Sequence, residues 1–380
     1  MIPAAKPIIE EEEIDAVVEV LKSGMLAEGK VARKFESEFR DYVGTKFATV
    51  TSNGTTALST ALEALEIQPG DEVITTPFTF IASANTIAMI GAIPVFVDIE
   101  PDTYNIDPNL VEKAITEKTK AIMPVHIFGM PADMPRILEI ADKHDLFVIE
   151  DACQAHGAEI SGRMAGSMGH VSAFSFYATK NLMTAEGGMI TTDNEELYDK
   201  ALEIKNHGRG KQGGYTHYRI GYNNRMMDIV AAIGRVQLRR LPAVVEGRRK
   251  NASKYDKFLE EIEELTPQAE RKGFKSAYHV YGPRLESANI SRDDLVERLR
   301  EFNIGSRTVY ALPCHLQETY RRIHEWRWSK VVRFPDYSSM NFPISESVGR
   351  THLEIPVQPG VTDENVEYIQ KTIKKILSQT

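Results

Sequence analysis

The chain has 380 residues, 42% of them hydrophobic and 26% charged. That is ordinary globular composition, long enough for two domains, and it excludes a disordered or collagen-like polypeptide. Asp and Glu number 54 against 45 Lys and Arg, a net charge of −9, so no overall cationic surface favours nucleic acid or an anionic membrane as a partner. The N-terminus passes from Pro-flanked residues into Glu10 to Glu13, the favourable acidic first turn of a helix continuing to Leu21. It has neither a basic start nor an apolar signal core, and a cytoplasmic protein is expected. The apolar runs Ile81 to Ile90 and Ile93 to Val97 stop short of the roughly 18 residues a membrane-spanning helix needs. Two cysteines, Cys153 and Cys314, suggest no disulfide framework. The sequons at Asn53, Asn251 and Asn289 carry little weight in that compartment.

From about Phe35 to Thr192, strand-length apolar stretches alternate with segments of helical period. This is the signature of an α/β fold, a mostly parallel sheet with helices on its faces. The expected strands are Phe47 to Thr51, Glu72 to Thr75, Ile93 to Val97, Ala121 to Val125, Phe147 to Glu150, Val171 to Phe176 and Met189 to Thr191. The expected helices are Thr55 to Leu65, Ile81 to Ile90, Leu110 to Ile115 and Met134 to His144. A helix around Glu195 to Lys205 then leads into a Gly- and Tyr-rich stretch, His207 to Tyr222, which has little to bury and reads as a long excursion. Helical pattern resumes at Met227 to Arg240, restarts at Pro242, where proline suits a first turn, and runs to about Leu265, crossing between domains. The remainder mixes a strand at Tyr278 to Arg284, a helix opened by Ser291 with Asp294 three residues on, and a last helix after Thr362. A smaller α+β domain fits.

Three constellations can carry chemistry, each where a strand ends. Ser52-Asn53-Gly54-Thr55-Thr56 precedes a helix whose free N–H groups and dipole suit an anion, with Gly54 permitting close approach; an ordinary Asn or Ser cap is the bland alternative. Val148-Ile149-Glu150-Asp151 runs a buried-type strand into two carboxylates at the edge where open α/β sheets bind ligands, although one of them can be a solvated cap. Phe174-Ser175-Phe176 leads to Lys180-Asn181 and then Glu186-Gly187-Gly188. A desolvated lysine there becomes a Schiff-base nucleophile, whereas most lysines in loops are solvated. One cofactor asks for all three parts: pyridoxal 5′-phosphate needs a lysine, an acid for its pyridine nitrogen and a helix N-terminus for its phosphate.

These residues resemble the DegT/DnrJ-type nucleotide-sugar aminotransferases, pyridoxal phosphate enzymes of the aspartate aminotransferase fold (fold type I). The likeness runs through Asn53-Gly54-Thr55, Gly70-Asp71-Glu72-Val73-Ile74, Pro94-Val95-Phe96-Val97-Asp98, Glu150-Asp151-Ala152, Phe174-Ser175-Phe176, Lys180-Asn181, Glu186-Gly187-Gly188 and Gly221 to Asp228. The resemblance implies a large cofactor-binding domain over residues 1–250, with a seven-stranded sheet between helices, and a small C-terminal α+β domain over 251–380. It implies that Lys180 carries the cofactor as a Schiff base and moves the proton, and that Asp151 pairs with the pyridine nitrogen. Relatives with histidine at the lysine position are dehydratases, so Lys180 argues for transamination. Phe80 matches the ring that stacks on the cofactor, Gly54, Thr55, Thr56 and Ser175 match the phosphate site, and Gln154 lies close over the ring or its O3′ side. The excursion and Arg225 would reach a partner subunit's site in a homodimer. L-glutamate is the expected amino donor and a nucleotide-linked 4-keto-6-deoxyhexose the expected acceptor, with Glu186 and His315 as candidate sugar contacts. A C3-keto sugar, another reaction on the same cofactor, or a non-catalytic regulatory relative are the alternatives.

Two further patterns carry less. Gly208, Gly210 and Gly213 satisfy the dinucleotide fingerprint G-x-G-x-x-G but follow a helix rather than a strand. Cys153 with His156, and Cys314 with His315, lack zinc-site spacing, and no metal is expected.

Overall fold

The computed structural model describes residues 1–211 and 214–379. Seven strands form one sheet: β1 Phe47–Thr51, β2 Glu72–Thr75, β3 Ile93–Phe96, β4 Thr119–Ile122, β5 Phe147–Asp151, β6 Val171–Ser175 and β7 Gly188–Thr192. Their spatial order is β1-β7-β6-β5-β4-β2-β3. β2 to β6 pair in parallel, and only β7 runs against its neighbours, β6 and β1. All seven expected strands are present. β4 ends at Ile122 instead of reaching Val125 because Pro124 has no N–H to continue a ladder; Val125 keeps a single bridge, to Asp151.

The strands read as unbroken apolar runs because helices cover both faces. Around this sheet lie α1 Glu11–Ser23, α2 Lys30–Val43, α3 Gly54–Ala64, α4 Ala82–Met89, α5 Pro108–Ala114, α6 Met134–His144 and α7 Glu195–Lys205. Ile149, Ala173 and Ile190 face Leu58 and Leu62 of α3 and Leu197 of α7. Ile74, Ile122 and Val148 face Ile137 and Ile140 of α6. Four helices open with a side chain that caps them: Asn53, Asp107, Asp133 and Asn194 each accept from a first-turn N–H. Each such cap is worth about 1 kcal/mol over alanine.

α8, Asp228–Leu259, is one helix of 32 residues with Pro242 inside it, which corrects the expected restart. Pro242 deprives the Leu238 carbonyl of its partner. Packing on both sides holds the helix through that gap. Leu238, Leu241 and Val245 belong to a core shared with Phe35, Phe39 and Phe174, whereas Ala252, Tyr255 and Leu259 belong to a second core. That second core is built by α9 Arg292–Glu301 and by α10 Asp363–Leu377. Ser291 caps α9 by accepting from the Asp294 N–H, as expected. The expected strand Tyr278 to Arg284 is irregular: Tyr278 has φ 43°, Pro283 cannot donate, Tyr281 makes a single bridge to Ile355, and the one paired run is Arg284–Leu285 with Leu265–Thr266.

Two stretches cross the expected boundary between domains. Ile2 packs on the second core, its N–H donating to Asn303 O at 2.7 Å. Residues Cys314 to Phe342 fold back onto the β3 edge, where Tyr320 and Tyr337 pack on Phe96 with ring centroids 5.4 and 5.3 Å away. No described helix is long and apolar enough to cross a membrane.

Candidate active site

A cleft of about 1110 Å³ opens at the carboxyl ends of β1, β5 and β6, closed from the other side by residues 307–317. Every expected site residue lines it except Arg225 and His315.

The N-terminus of α3 forms one wall. Asn53 Oδ1 accepts from the Thr56 N–H at 2.9 Å and Thr56 Oγ1 accepts from the Asn53 N–H at 3.1 Å. The bland cap and the anion site are therefore the same turn. Asn53 satisfies one first-turn donor, and the Gly54 and Thr55 N–H groups, which no helical turn precedes, are left at the open end. Thr56 is less available than expected, since both its N–H and its hydroxyl are engaged with Asn53. A Cβ on Gly54 would lie 2.6 Å from Ser175 Cβ and 3.2 Å from Cys153 Sγ, so glycine is what lets α3 approach the end of β6.

The two carboxylates at the end of β5 part company. Glu150 points into the protein, where it accepts from the N–H groups of Gly166 (2.8 Å), Met168 (2.6 Å) and Gly169 (2.6 Å) and meets His126 Nε2 at 2.9 Å. Burial pushes its pKa up, but His126 and these N–H groups outweigh that and hold it below the ordinary carboxylate value. It is a structural anchor, not a solvated cap. Asp151 lines the cleft, its Oδ2 accepting from Ser83 Oγ at 2.7 Å and its Oδ1 from the Cys153 N–H at 3.2 Å.

Lys180 ends a turn closed by its own N–H on Tyr177 O at 2.9 Å. Desolvation lowers its pKa, and Arg307 lowers it further, against the opposing pull of Cys153 and Asp151. More of the amine is thus neutral and nucleophilic than in a solvated lysine. Gln154 is buried, its Oε1 accepting from the Phe128 N–H at 3.0 Å and its Nε2 donating to the Tyr310 hydroxyl at 3.3 Å. Phe80 is 56% exposed and leans toward Tyr310, with centroids 6.5 Å apart. Glu186 is exposed at the cleft rim.

His315 is elsewhere. It is buried with Nε2 3.3 Å from Glu346 Oε1 and its ring 4.8 Å from that of Phe342. It packs outside the cleft in which a sugar contact was expected. Arg225 also lies outside its own chain's cleft, its Nε donating to Asn223 Oδ1 at 2.9 Å. Gly208 and Gly210 sit in a loop after α7, without the strand-turn-helix context of a dinucleotide site, and Gly213 lies outside the described residues. Sequence reasoning missed Ser83, Tyr310 and His279, whose Nε2 is 3.3 Å from Lys180 Nζ. Ser83 was detectable in principle as a hydroxyl in the first turn of a helix entering at the sheet edge. His279 had no such signal.

A lysine, an acid and a helix N-terminus meeting at the carboxyl edge of a sheet ordered in this way define a pyridoxal phosphate enzyme of fold type I. The chain belongs to the DegT/DnrJ/EryC1/StrS aminotransferase family, which it matches over residues 7–374. It is 36% identical to the GDP-perosamine synthase of Escherichia coli O157:H7, covering 99% of each chain. It is 35% identical to the UDP-N-acetyl-3-dehydro-alpha-D-glucosamine 3-aminotransferase of Acidithiobacillus ferrooxidans, covering 97% of this chain and 95% of that one. Among solved structures it is similar to the PLP-form of the putative sugar aminotransferase Spr1654 from Streptococcus pneumoniae, with TM-score 0.89 and 30% identity over 100% of this chain and 99% of that one. The protein is a pyridoxal phosphate-dependent sugar aminotransferase.

The residues fit that cofactor. The Gly54 cradle leaves no room for a side chain, α3 offers backbone donors for a phosphate, the Lys180 amine is desolvated, and Asp151 is fixed by two donors.

Proposed function

We propose that the protein transfers the amino group of L-glutamate to a nucleotide-linked 4-keto-6-deoxyhexose. The observation that carries this reading is Lys180, a desolvated amine sharing one cleft with Asp151 and the α3 N-terminus. In it, Gly54, Thr55 and Ser175 hold the cofactor phosphate, Thr56 shapes that turn through its bonds to Asn53, Phe80 and Gln154 flank the ring, and Glu186 reaches the sugar. The cleft lies between a large part, residues 1–250, and a small part, residues 251–380. Two chains form a homodimer in which Arg225 of each serves the other's site.

When bound, pyridoxal 5′-phosphate supplies an electron sink for the bond broken beside the substrate nitrogen. Asp151, aimed by Ser83 and the Cys153 N–H, keeps a proton on the ring nitrogen. Lys180 Nζ takes the proton from the donor's α-carbon and returns it one position away. The keto sugar uses the same lysine in reverse. Two half-reactions on one site imply ping-pong kinetics.

An absorbance spectrum of the protein with pyridoxal phosphate, before and after L-glutamate and alongside Lys180→Ala, tests the first half. A visible-edge band that glutamate removes, and that Lys180→Ala never forms, is expected. A band unmoved by any amino acid overturns transamination and favours the regulatory alternative. Acceptor position needs its own arm, because near-equal identity to a 3-aminotransferase supports C3 about as well. Paired assays with nucleotide-linked 4-keto and 3-keto sugars decide it, and a product aminated only at C3 overturns the C4 reading.

A further inference from the structure

His279 stands where nothing in the lysine, the acid or the phosphate turn requires it. Its Nε2 lies 3.3 Å from Lys180 Nζ, and its Nδ1 is shut off from solvent with no hydrogen-bond partner. A sheltered nitrogen without a partner destabilises the fold. An apolar side chain would avoid that cost, so what the imidazole uniquely adds here is the contact at Nε2.

The backbone that delivers the ring is fixed on every side. Buried Arg248 donates Nη1 to the carbonyls of Tyr278 (2.9 Å) and His279 (3.1 Å). Ala277 and Val280 donate their N–H groups to Gly129 O and Phe128 O at 2.9 and 3.1 Å. A Cβ on Gly129 would lie 2.9 Å from His279 N, so this close passage needs glycine. Tyr278 is held at φ 43°, a strained position for a bulky residue that survives only where its surroundings over-determine it. Asn181, next to the lysine, donates Nδ2 to Ala277 O at 2.8 Å. The lysine turn and the histidine segment are thereby tied into one register.

We propose that His279 is a positioning residue for Lys180, its Nε2 accepting a hydrogen bond from the lysine amine and holding it over the cleft whenever that amine is free of the cofactor. This rests on Lys180 being the cofactor lysine. The imidazole is not a base for the reaction. Desolvation, Lys180, Arg248, His156 and Arg307 all push its pKa well below the ordinary histidine value, so it stays neutral and offers a lone pair. The carboxylates nearby, Asp151 and Glu354, face Lys180 and Arg248. As an acceptor, Nε2 leaves the amine's own lone pair free to attack the cofactor aldehyde with loss of water. A donor at that place would block it.

The test is the rate at which apo-protein takes up pyridoxal phosphate, followed by the visible-edge band, for wild type, His279→Phe and His279→Gln. Misplacing a reacting group by a fraction of an ångström is costly, so His279→Phe should load about ten-fold more slowly. His279→Gln retains an acceptor and should load within about two-fold of wild type. Packing alone predicts the reverse order, since phenylalanine fills the space better. A His279→Phe protein loading at the wild-type rate, or a His279→Gln protein as slow as it, overturns the proposal. Failure of the wild type to form the band overturns the role of Lys180 instead. The ¹⁵N spectrum of selectively labelled histidine in apo-protein needs no variant at His279. An Nε2 signal of an unprotonated, accepting nitrogen that shifts in Lys180→Ala is expected, and one that does not shift overturns the proposal.

Discussion

His156 is buried against Phe174 and Phe176, with ring centroids 5.4 and 5.7 Å away. Burial first, and then Lys180, lowers its pKa to about 3. A histidine whose folded pKa is depressed contributes stability that is complete above its unfolded value and is lost as pH falls toward the folded one. The unfolded chain takes up a proton near pH 6.5 that the folded chain refuses. Between pH 7 and 5 this single residue therefore costs the fold about 2 kcal/mol, which His156→Leu removes. Urea unfolding of both proteins at the two pH values reads it: the variant gains on wild type as pH falls, and parallel pH dependences sink the argument. The same residue shows how far sequence reached into the site. Lys180, Asp151 and Gly54 were legible because a strand end, a turn and a helix start are local features that fix a side chain's place. His156 entered only as a metal-ligand candidate without zinc-site spacing, and His279 not at all. Its approach to Lys180 depends on Tyr278 at positive φ and on a buried arginine from α8, which no spacing encodes.

Elements show the same division between local and distant causes. The helix α4 brings Ser83 to Asp151 at one end, and its other end is held by a segment more than 200 residues away in the chain. Trp326 Nε1 donates to Ala88 O at 3.0 Å and Trp328 Nε1 to Met89 O at 2.9 Å, with Arg327 lying 5.2 and 5.9 Å from the two indole rings. The last carbonyls of a short helix are thus capped by two indoles. Gly91 makes room for them: at φ +84°, its Cβ would lie 2.8 Å from Trp328 Cδ2 and 3.0 Å from Pro69 Cβ. Gly91→Ala should cost about 1–3 kcal/mol and shift tryptophan emission to the red, and these are the only two tryptophans in the chain. Gly24→Ala is the control, with φ +69° and open space, and should leave emission alone. Equal spectra for the two variants would show that the indoles do not rest on Gly91. Sequence pattern found α4 from its own apolar residues but could not see the clip. It likewise broke α8 at Pro242, where propensity argues for a break and two separate cores override it. It drew a strand over Tyr278 to Arg284, whose first two carbonyls, of Tyr278 and His279, are in fact taken by Arg248.

At the scale of the whole molecule, one chain encloses a cleft but leaves large apolar side chains uncovered. Ile220 is 92% exposed and Tyr215 88% exposed, both on the excursion that follows α7 and returns through the Asn206–Asn223 bridge to Arg225. Ile14, Leu21 and Met25, along and just beyond α1, are exposed as well. Such surface marks an interaction site in a stable protein, and in the proposed homodimer a two-fold axis would pair each excursion with its neighbour's cleft. If Arg225 acts across that axis, Lys180→Ala and Arg225→Ala fail in different chains. Each mixed dimer then contains one site lacking both groups and one with a wild-type lysine and a wild-type arginine. Unfolding and refolding the two variants together yields half mixed dimers, each with one of two sites intact, so about a quarter of wild-type activity should return. Were Arg225 to serve its own chain's cleft, every site in the mixture would lack one group or the other, and mixing would return nothing beyond the average of the parent variants. The outcome separates a shared site from a self-contained one whatever sugar the enzyme accepts.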